Sequence, residues 1–491
     1  MASELLQRAR EFEARNRPLA DPERPAFHLT APIGWMNDPN GFSVYRGEYH
    51  LFFQYHPYST DWGPMHWGHV KTRDFIHWQY LPAALAPDMD YDWDGCFSGS
   101  AIELPDGRQL LIYTGVRNHA EGFPRRTQTQ CVAIGNGVDY EKLPSNPVLT
   151  ERDIPGGGNI QDFRDPKIWR EADGQYYMVV GNRAADDSGQ VLLYRSADAV
   201  QWDYVGVVDA CRNEYGKMWE CPDFFSLNGK QALIVSPMEM LPSGQEFHPG
   251  FGTLCLIGNY ENGAFRRQYA QAVDYGLDFY APQTLALPDG RRIMIAWMQN
   301  WASAFIKKPT QWKCFGSMTF PRELDIRDGR LIQNPAREIE SIRGEKTEYQ
   351  GEVISGETTL PGIQGRILDL TVHIRPADNN GYRWFQLSIA ADEKRITTIR
   401  YLPEENIVRV DRSRCGFPYD IVNTREFAVR WRDGELTMRV LMDRNSAELF
   451  LNNGEQTATF LIYTPQEADG IHFHSSGRVL MDVKKFDLLR E

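Results

Sequence analysis

From residue 26 onward, apolar and polar residues alternate in short runs broken by Gly, Pro, Asp and Asn, the pattern of β-strands joined by turns. Helical spacing is confined to the N-terminus. There Leu5, Leu6, Ala9 and Phe12 predict a short amphipathic helix ending before Pro18, within an extension over residues 1–25. Five of the β-like runs resemble one another: YHLFFQY (49–55), QLLIYTG (109–115), YYMVVGN (176–182), QALIVSP (231–237) and RIMIAWM (292–298). Their third residues, Leu51, Leu111, Met178, Leu233 and Met294, are separated by 60, 67, 55 and 61 residues. Such a period is long for a solenoid but suits four-stranded propeller blades with generous loops. A second repeat, TRDFIHW (72–78) and SADAVQW (196–202), follows its marker by about 20 residues in each case. Trp78 and Trp202 are therefore expected to be structural, packing between neighbouring blades.

Counting thirteen residues back from each marker reaches Asp38, Ser98, Asp165, Glu220 and Ala281, within NDPNG, FSGSA, RDPK, WECPD and YAPQT. Equivalent positions in a propeller's blades face one place, and the innermost strands line the central channel. Three carboxylates are thus expected to converge at one end of that channel. On its own, the NDPNG of WMNDPNGF (35–42) reads as a turn, because Asn and Asp cap backbone groups, Pro fixes φ and Gly accepts positive φ. Convergence of the acids makes it the wall of a pocket instead.

The propeller is expected to span residues 26–340 and to give way to a charged linker over 341–352. Beyond it, residues 353–491 hold eight alternating runs, RILDLTVHI, WFQLSIAA, RITTIRYL, NIVRVDR, LTMRVLMD, SAELFLN, TATFLIY and VLMDVKKFDL, which read as a β-sandwich. No comparable cluster of acids occurs there, so the sandwich is expected to be supportive. The fold class is all-β: a five-bladed β-propeller followed by a C-terminal β-sandwich, with a short N-terminal helix.

Composition narrows the function. The 491 residues include 13 Trp and 22 Tyr, a surplus that serves either core packing or stacking on sugar rings. A formal charge of −13 argues against nucleic acid as a partner. The seven cysteines are scattered with no CxxC pair, which fits a reducing compartment rather than a disulfide framework or zinc site. The charged N-terminus lacks an apolar leader and no run of about 18 apolar residues occurs, so a cytoplasmic protein without membrane contact is expected. DYDWDG (90–95) imitates the start of a calcium loop, but its twelfth position is Ala101 rather than Glu. His66 and His69 lack a third ligand and are expected to be hydrogen-bonded structural residues. No metal and no cofactor are expected.

The blocks WMNDPNG (35–41), MHWGH (65–69), FSGSA (97–101), FRDPK (163–167), WECPD (219–223), DFYAPQT (278–284) and PREL (321–324), with MDRNSAELFLNNGE (442–455), resemble glycoside hydrolase family 32, the β-fructofuranosidases. The resemblance runs along almost the whole chain and implies a five-bladed propeller with a β-sandwich. It implies retaining hydrolysis of terminal β-D-fructofuranosyl residues, with Asp38 as nucleophile, Glu220 as general acid/base and Asp165 as transition-state stabiliser. Asp38, among Asn and turn N–H donors, is expected to keep a low pKa, and Asp165 to be held ionised by Arg164. The fructose pocket is expected to draw on Asn37, Gln54, Trp62, Phe97, Ser98, Arg164 and Tyr280, with Trp301 as a stacking wall. The partner is a small fructoside, sucrose or a short fructo-oligosaccharide. Sucrose 6-phosphate is the alternative, with Arg125, Arg126, Lys307 and Lys308 as candidate phosphate ligands. A fructosyltransferase would use the same intermediate, and the oligomeric state is left open. One departure stands out: in TQWKCFGSM (310–318), Cys314 falls about where many relatives carry Trp.

Overall fold

The computed structural model describes residues 2–17, 24–121, 124–305, 313–417 and 422–489. The N-terminal helix (Glu4–Asn16) starts on the Ser3 side chain, which accepts from the Leu6 amide, and buries Leu6, Ala9 and Glu13. Arg10 fixes it to the outer strand of the first blade by donating to the Ala83 carbonyl (2.8 Å).

Five four-stranded antiparallel blades follow, and their first strands are Gly34–Tyr45, Gly95–Glu103, Phe163–Arg170, Trp219–Leu227 and Tyr280–Ala286. These five strands touch one another in ring order and so form the inner wall of a propeller. The short strand Cys314–Phe315, from the excursion within blade 5, pairs in parallel with the start of blade 1, Gly34 opposite Cys314. It ties the last blade to the first.

The repeated Trp motif turns out to be the connection between third and fourth strands in blades 1 and 3. Asp74 accepts from the amides of Ile76 and His77, and Asp198 from those of Val200 and Gln201. Phe75 (φ 61°) and Ala199 (φ 62°) make the turn. Trp78 and Trp202 are half-buried against the apolar clusters beneath these turns.

The C-terminal unit is a two-layer β structure held together by two long strands, Arg343–Thr358 and Gly470–Leu488, paired along their length. The segment 343–352, expected as a linker, is most of the first of these strands. Its polar sequence misled because the strand lies at an edge with half its side chains in water. Residues 470–475 pair with one layer and 479–487 with the other, so the strand passes between layers. Gly356, at φ 76°, sits at the register shift where its partner makes the same passage.

The core is continuous between propeller and sandwich. Tyr275 of the propeller stacks on Phe427 of the sandwich at 5.1 Å, inside one apolar cluster that draws on both. Among the described residues, no helix is long and apolar enough to cross a membrane.

Candidate active site

Each inner strand carries a register shift at the same level: between Met36 and Pro39, Phe97 and Gly99, Glu220 and Asp223, and Tyr280 and Gln283, with its counterpart in blade 3 between Arg164 and Lys167. A bulge of this kind bends the strand and re-aims its side chains. In blades 3, 4 and 5 the bulged residue has left-handed backbone, Asp165 (φ 68°), Cys221 (φ 49°) and Ala281 (φ 51°), and proline follows each. Proline lacks the ladder N–H and is tolerated at bulges, so RDP, ECP and YAP are one bulge written three times.

This corrects the register read from the sequence. The position shared with Asp38, Ser98, Asp165 and Ala281 belongs in blade 4 to Cys221, not Glu220. The connection from Phe224 to its partner Leu233 is one residue shorter than that from Ile168 to Met178 or from Thr284 to Met294. Counting back thirteen residues therefore overshoots Cys221 by one. Glu220 shares its level with Arg164 and Tyr280 instead. The site thus consists of two adjacent rings, one with Asp38, Ser98, Asp165 and Cys221, the other with Asn37, Phe97, Arg164, Glu220 and Tyr280.

The rings interlock by hydrogen bonds. Ser98 Oγ donates to Asp38 Oδ2 (3.0 Å), and the Cys221 amide donates to Asp165 Oδ2 (2.9 Å). Cys221 Sγ lies 3.7 Å from both Asp38 Oδ2 and Asp165 Oδ2, so the two acids flank one sulfur. Glu220 Oε1 accepts from Arg164 Nε (3.0 Å) and Nη2 (2.9 Å), and its Oε2 from the Tyr280 hydroxyl (2.6 Å). Asp38 Oδ1 is buried and has no hydrogen-bond partner among the described residues.

Burial sets the charge balance. Burial first, and the neighbouring Glu220 second, push the Asp38 carboxyl up to about 6, against the pull of Asn37 and Ser98. Burial also moves Asp165 upward, with Arg164 opposing and Glu220 and Asp38 adding. Neither carboxyl is held at low pKa, and the reason differs between them. Arg164 turns toward Glu220 and Asp162 (Nη1 to Oδ1, 2.6 Å) and stays 3.9 Å from Asp165, while turn amides do not offset the burial of Asp38.

The remaining expected residues spread around this centre. Asn37 is buried and accepts from the Trp35 indole (2.7 Å). Gln54 is buried and donates to the Cys96 carbonyl (3.0 Å), next to Phe97. Trp62 is 39% exposed and meets Phe97 edge to face at 6.2 Å. Trp301 opens the short helix Trp301–Ala304, capped by Asn300, and stacks on Trp35 at 6.2 Å. Phe305, which the sequence did not single out, stacks on both Trp35 and Trp301. Also missed were Gln128, whose Oε1 accepts from Arg164 Nη1 (3.1 Å), Asp162, and Met238, whose sulfur lies 3.3 Å from Arg164 Nη2. The DP and ECP bulge strings were the signal available for the acids; no such signal marks these supports.

The decoys have other duties. Asp92 holds the Lys142 ammonium (2.6 Å) and accepts from the Tyr113 hydroxyl (2.7 Å). His69 Nε2 pairs with His50 Nδ1 (2.9 Å), and His66 Nδ1 with the Pro64 carbonyl (3.0 Å). Lys307 and Lys308 lie outside the described residues.

Comparison with known proteins agrees with this architecture. Residues 28–335 match the glycosyl hydrolases family 32 N-terminal domain and residues 338–488 its C-terminal domain. The chain is 40% identical over 464 residues to a raffinose invertase of Escherichia coli, covering 92% of each. It is 37% identical over 466 residues to a sucrose-6-phosphate hydrolase of the same organism, again covering 92% of each. A β-fructofuranosidase of Bombyx mori, solved as a mutant with sucrose, superposes with a TM-score of 0.84 at 32% identity, covering 100% of this chain and 99% of that one. The chain belongs to glycosyl hydrolase family 32 and is a fructoside-cleaving glycoside hydrolase.

Proposed function

We propose that the site removes a terminal β-D-fructofuranosyl residue from sucrose or a short fructo-oligosaccharide with retained configuration. The observation that carries this reading is the unpartnered, buried Oδ1 of Asp38 beside a Glu220 gripped by Arg164 and Tyr280. Asp38 Oδ1 attacks the anomeric carbon as its bond to the leaving oxygen breaks, and Glu220 gives that oxygen its proton. Asp165, fixed by the Cys221 amide, faces the positive charge that develops on the ring and accepts fructose hydroxyls. Glu220 then takes a proton from water, which attacks the same carbon and frees Asp38. Asn37, Ser98, Arg164 and Tyr280 order the acids. Phe97, Trp62 and Trp301 supply apolar walls for the sugar faces.

Leaving-group chemistry tests the roles. Glu220→Ala should lose roughly 10²–10⁴-fold on sucrose yet form the intermediate from fructosyl fluoride, which departs unaided. Azide should then restore turnover and give a fructosyl azide of retained configuration. An inverted azide would make Glu220 the nucleophile and reverse the two assignments.

Sucrose 6-phosphate is the competing substrate, favoured by the name of the second relative. Its phosphate needs a cation beyond the fructose pocket. Arg125 and Arg126 are exposed on blade 2, and the Arg125 amide donates to Gln161, the residue before Asp162. Comparing kcat/KM on sucrose, its 6-phosphate and inulin-type trisaccharides decides between them. A strong preference for the phosphate rejects sucrose as the main substrate. Mainly longer oligosaccharides at high sucrose would make the enzyme a transferase. We place it in the cytoplasm, a reading supported by seven buried cysteines that form no disulfide.

A further inference from the structure

We propose that Asp162 is a positioning residue that divides the charge of Arg164 between itself and the catalytic acids, and that Arg183 is its counterweight. The proposal rests on the functional reading above. Arg164 has a single positive charge and three acids within reach. Two of its nitrogens go to Glu220 Oε1, at 2.9 and 3.0 Å, and the third goes to Asp162 Oδ1 at 2.6 Å. Asp165 is left at 3.9 Å. The other oxygen of Asp162 faces Arg183 Nε at 2.8 Å. Arg183 in turn pairs with Asp187 (3.0 Å), and Asp187 with Lys217 (2.6 Å). Charges alternate along this line, from the half-buried Lys217 through Asp187, Arg183, Asp162 and Arg164 to Glu220.

Asp162 is held for this task. It ends a one-turn 3-10 helix (Ile160–Asp162) whose first turn is capped by Asn159. Asn182 Nδ2 donates to the carbonyls of both Asp162 (2.8 Å) and Asn159 (3.0 Å). Gln128 Oε1 shares Nη1 of Arg164 with Asp162 (3.1 Å) and accepts from the Phe163 amide (3.3 Å). The guanidinium therefore has one orientation, and its charge is divided by how strongly Asp162 draws on it. The titratable and charged groups facing Arg164 are Asp162, Asp165 and Glu220, with Asp38, Cys221 and Tyr280 behind them. Those facing Asp162 are Arg164 and Arg183.

The sign of each perturbation follows. Asp162→Asn removes the competing anion, so Arg164 acts in full on the catalytic acids and favours their ionised forms. Both limbs of the kcat/KM pH profile then move to lower pH, by about one unit for a charge change at this separation. On the alkaline side this is up to about tenfold lower kcat/KM at fixed pH. Arg183→Gln removes the counterweight, leaves Asp162 to draw on Arg164 alone, and moves both limbs to higher pH by a smaller amount.

The experiment is the pH profile of kcat/KM on sucrose for the full chain and both variants, with thermal melts to show that each is folded. Opposite displacements in the two variants are the expected result. Loss of activity with unmoved limbs makes Asp162 a structural ion-pair partner only and overturns the proposal. Displacement of both variants in the same direction also overturns it. If Asp162→Asn does not fold, an unmoved profile in Arg183→Gln alone is sufficient to reject it. A wild-type chain inactive on every fructoside overturns the functional reading and this inference with it.

Discussion

Two buried clusters of charge among the described residues are balanced in opposite ways. In the propeller mouth, Asp38, Asp165 and Glu220 share one immediate cation, Arg164, which is also drawn off by Asp162. Between propeller and sandwich, Asp274, Asp443 and Glu448 meet Arg322 and His28, all with fully buried side chains. There the accounting closes. Arg322 reaches Glu448 Oε2 (2.6 Å) and Asp274 (3.0 Å), and His28 bridges Glu448 (2.8 Å) and Asp443 (2.9 Å). Backbone amides fill the remaining lone pairs: Phe320 on Glu448, Ala26 and Phe27 on Asp443, and Thr459 on Asp274.

The acidity constants record the difference. Burial raises Asp38 and Asp165, because too few donors reach them. Burial acts on Asp443 and Glu448 as well, yet His28, Arg322 and the amides outweigh it and hold both below the usual carboxylate range. Burial would lower His28, but Asp443 and Glu448 raise it to about 9. An unsatisfied buried charge is costly to the fold and available to a substrate, whereas a satisfied one is available to neither water nor ligand. One cluster is the proposed site of chemistry and the other lies between propeller and sandwich.

The largest effect expected from breaking this contrast is at Asp38. Asp38→Asn should reduce turnover by on the order of 10⁴-fold or more, since an amide cannot attack the anomeric carbon. The same change should leave the melting temperature at pH 8 equal or higher, because a strained carboxylate is removed. A clear drop in melting temperature with activity retained would reverse the comparison.

Next in size is Glu448→Gln, which leaves Arg322 and His28 underpaired inside the interface. It should destabilise the chain by about 3–5 kcal/mol in denaturant unfolding while leaving kcat per folded molecule unchanged. A loss below about 1 kcal/mol would mean that this network contributes little to the joint.

The smallest effects come from pH. His28 has a folded value near 9 against an ordinary 6.5, so its contribution is fully present below about 6.5 and disappears as pH rises through 9. Unfolding free energy should fall by about 2–3 kcal/mol between pH 6.5 and 10 and this fall should vanish in His28→Gln. Asp38, by contrast, must be ionised to attack, so kcat/KM should rise as pH increases through about 6. An acidic limb near 4 in kcat/KM would show that burial does not raise Asp38 in the free enzyme.

Much of the candidate site was legible in short strings. Asp-Pro and Glu-Cys-Pro mark bulges on inner strands, and a bulge is a local property of backbone chemistry. The five-fold repeat gave the blades because each blade must bury its own apolar strands. The register failed in blade 4 because it depends on hairpin length: the turn at Asn228 and Gly229 is shorter than the five-residue connections of blades 2, 3 and 5, while blade 1, whose turn at Arg46 and Gly47 is equally short, has a second register shift between Asn40 and Ser43. The strand at 343–352 was lost for a different reason: an edge strand half in water needs no apolar alternation.

By itself the sequence determined the class of fold and the family and marked three acids as candidates, because these rest on local periodicity and on motifs whose spacing the chain carries. Only the tertiary structure decided how those acids are charged. Arg164 stands next to Asp165 in sequence but turns to Glu220, 56 residues away, and to Asp162. Asp162, Gln128 and Met238 have no mark in the sequence that sets them apart. Arg322 and Glu448 fall in the PREL and MDRNSAELFLNNGE blocks, but nothing in those strings shows that they meet each other and His28 across separations of 126 and 420 residues. Electrostatic balance depends on distance and burial in three dimensions. Neither quantity is written along the chain until the blades close and the sandwich docks against them.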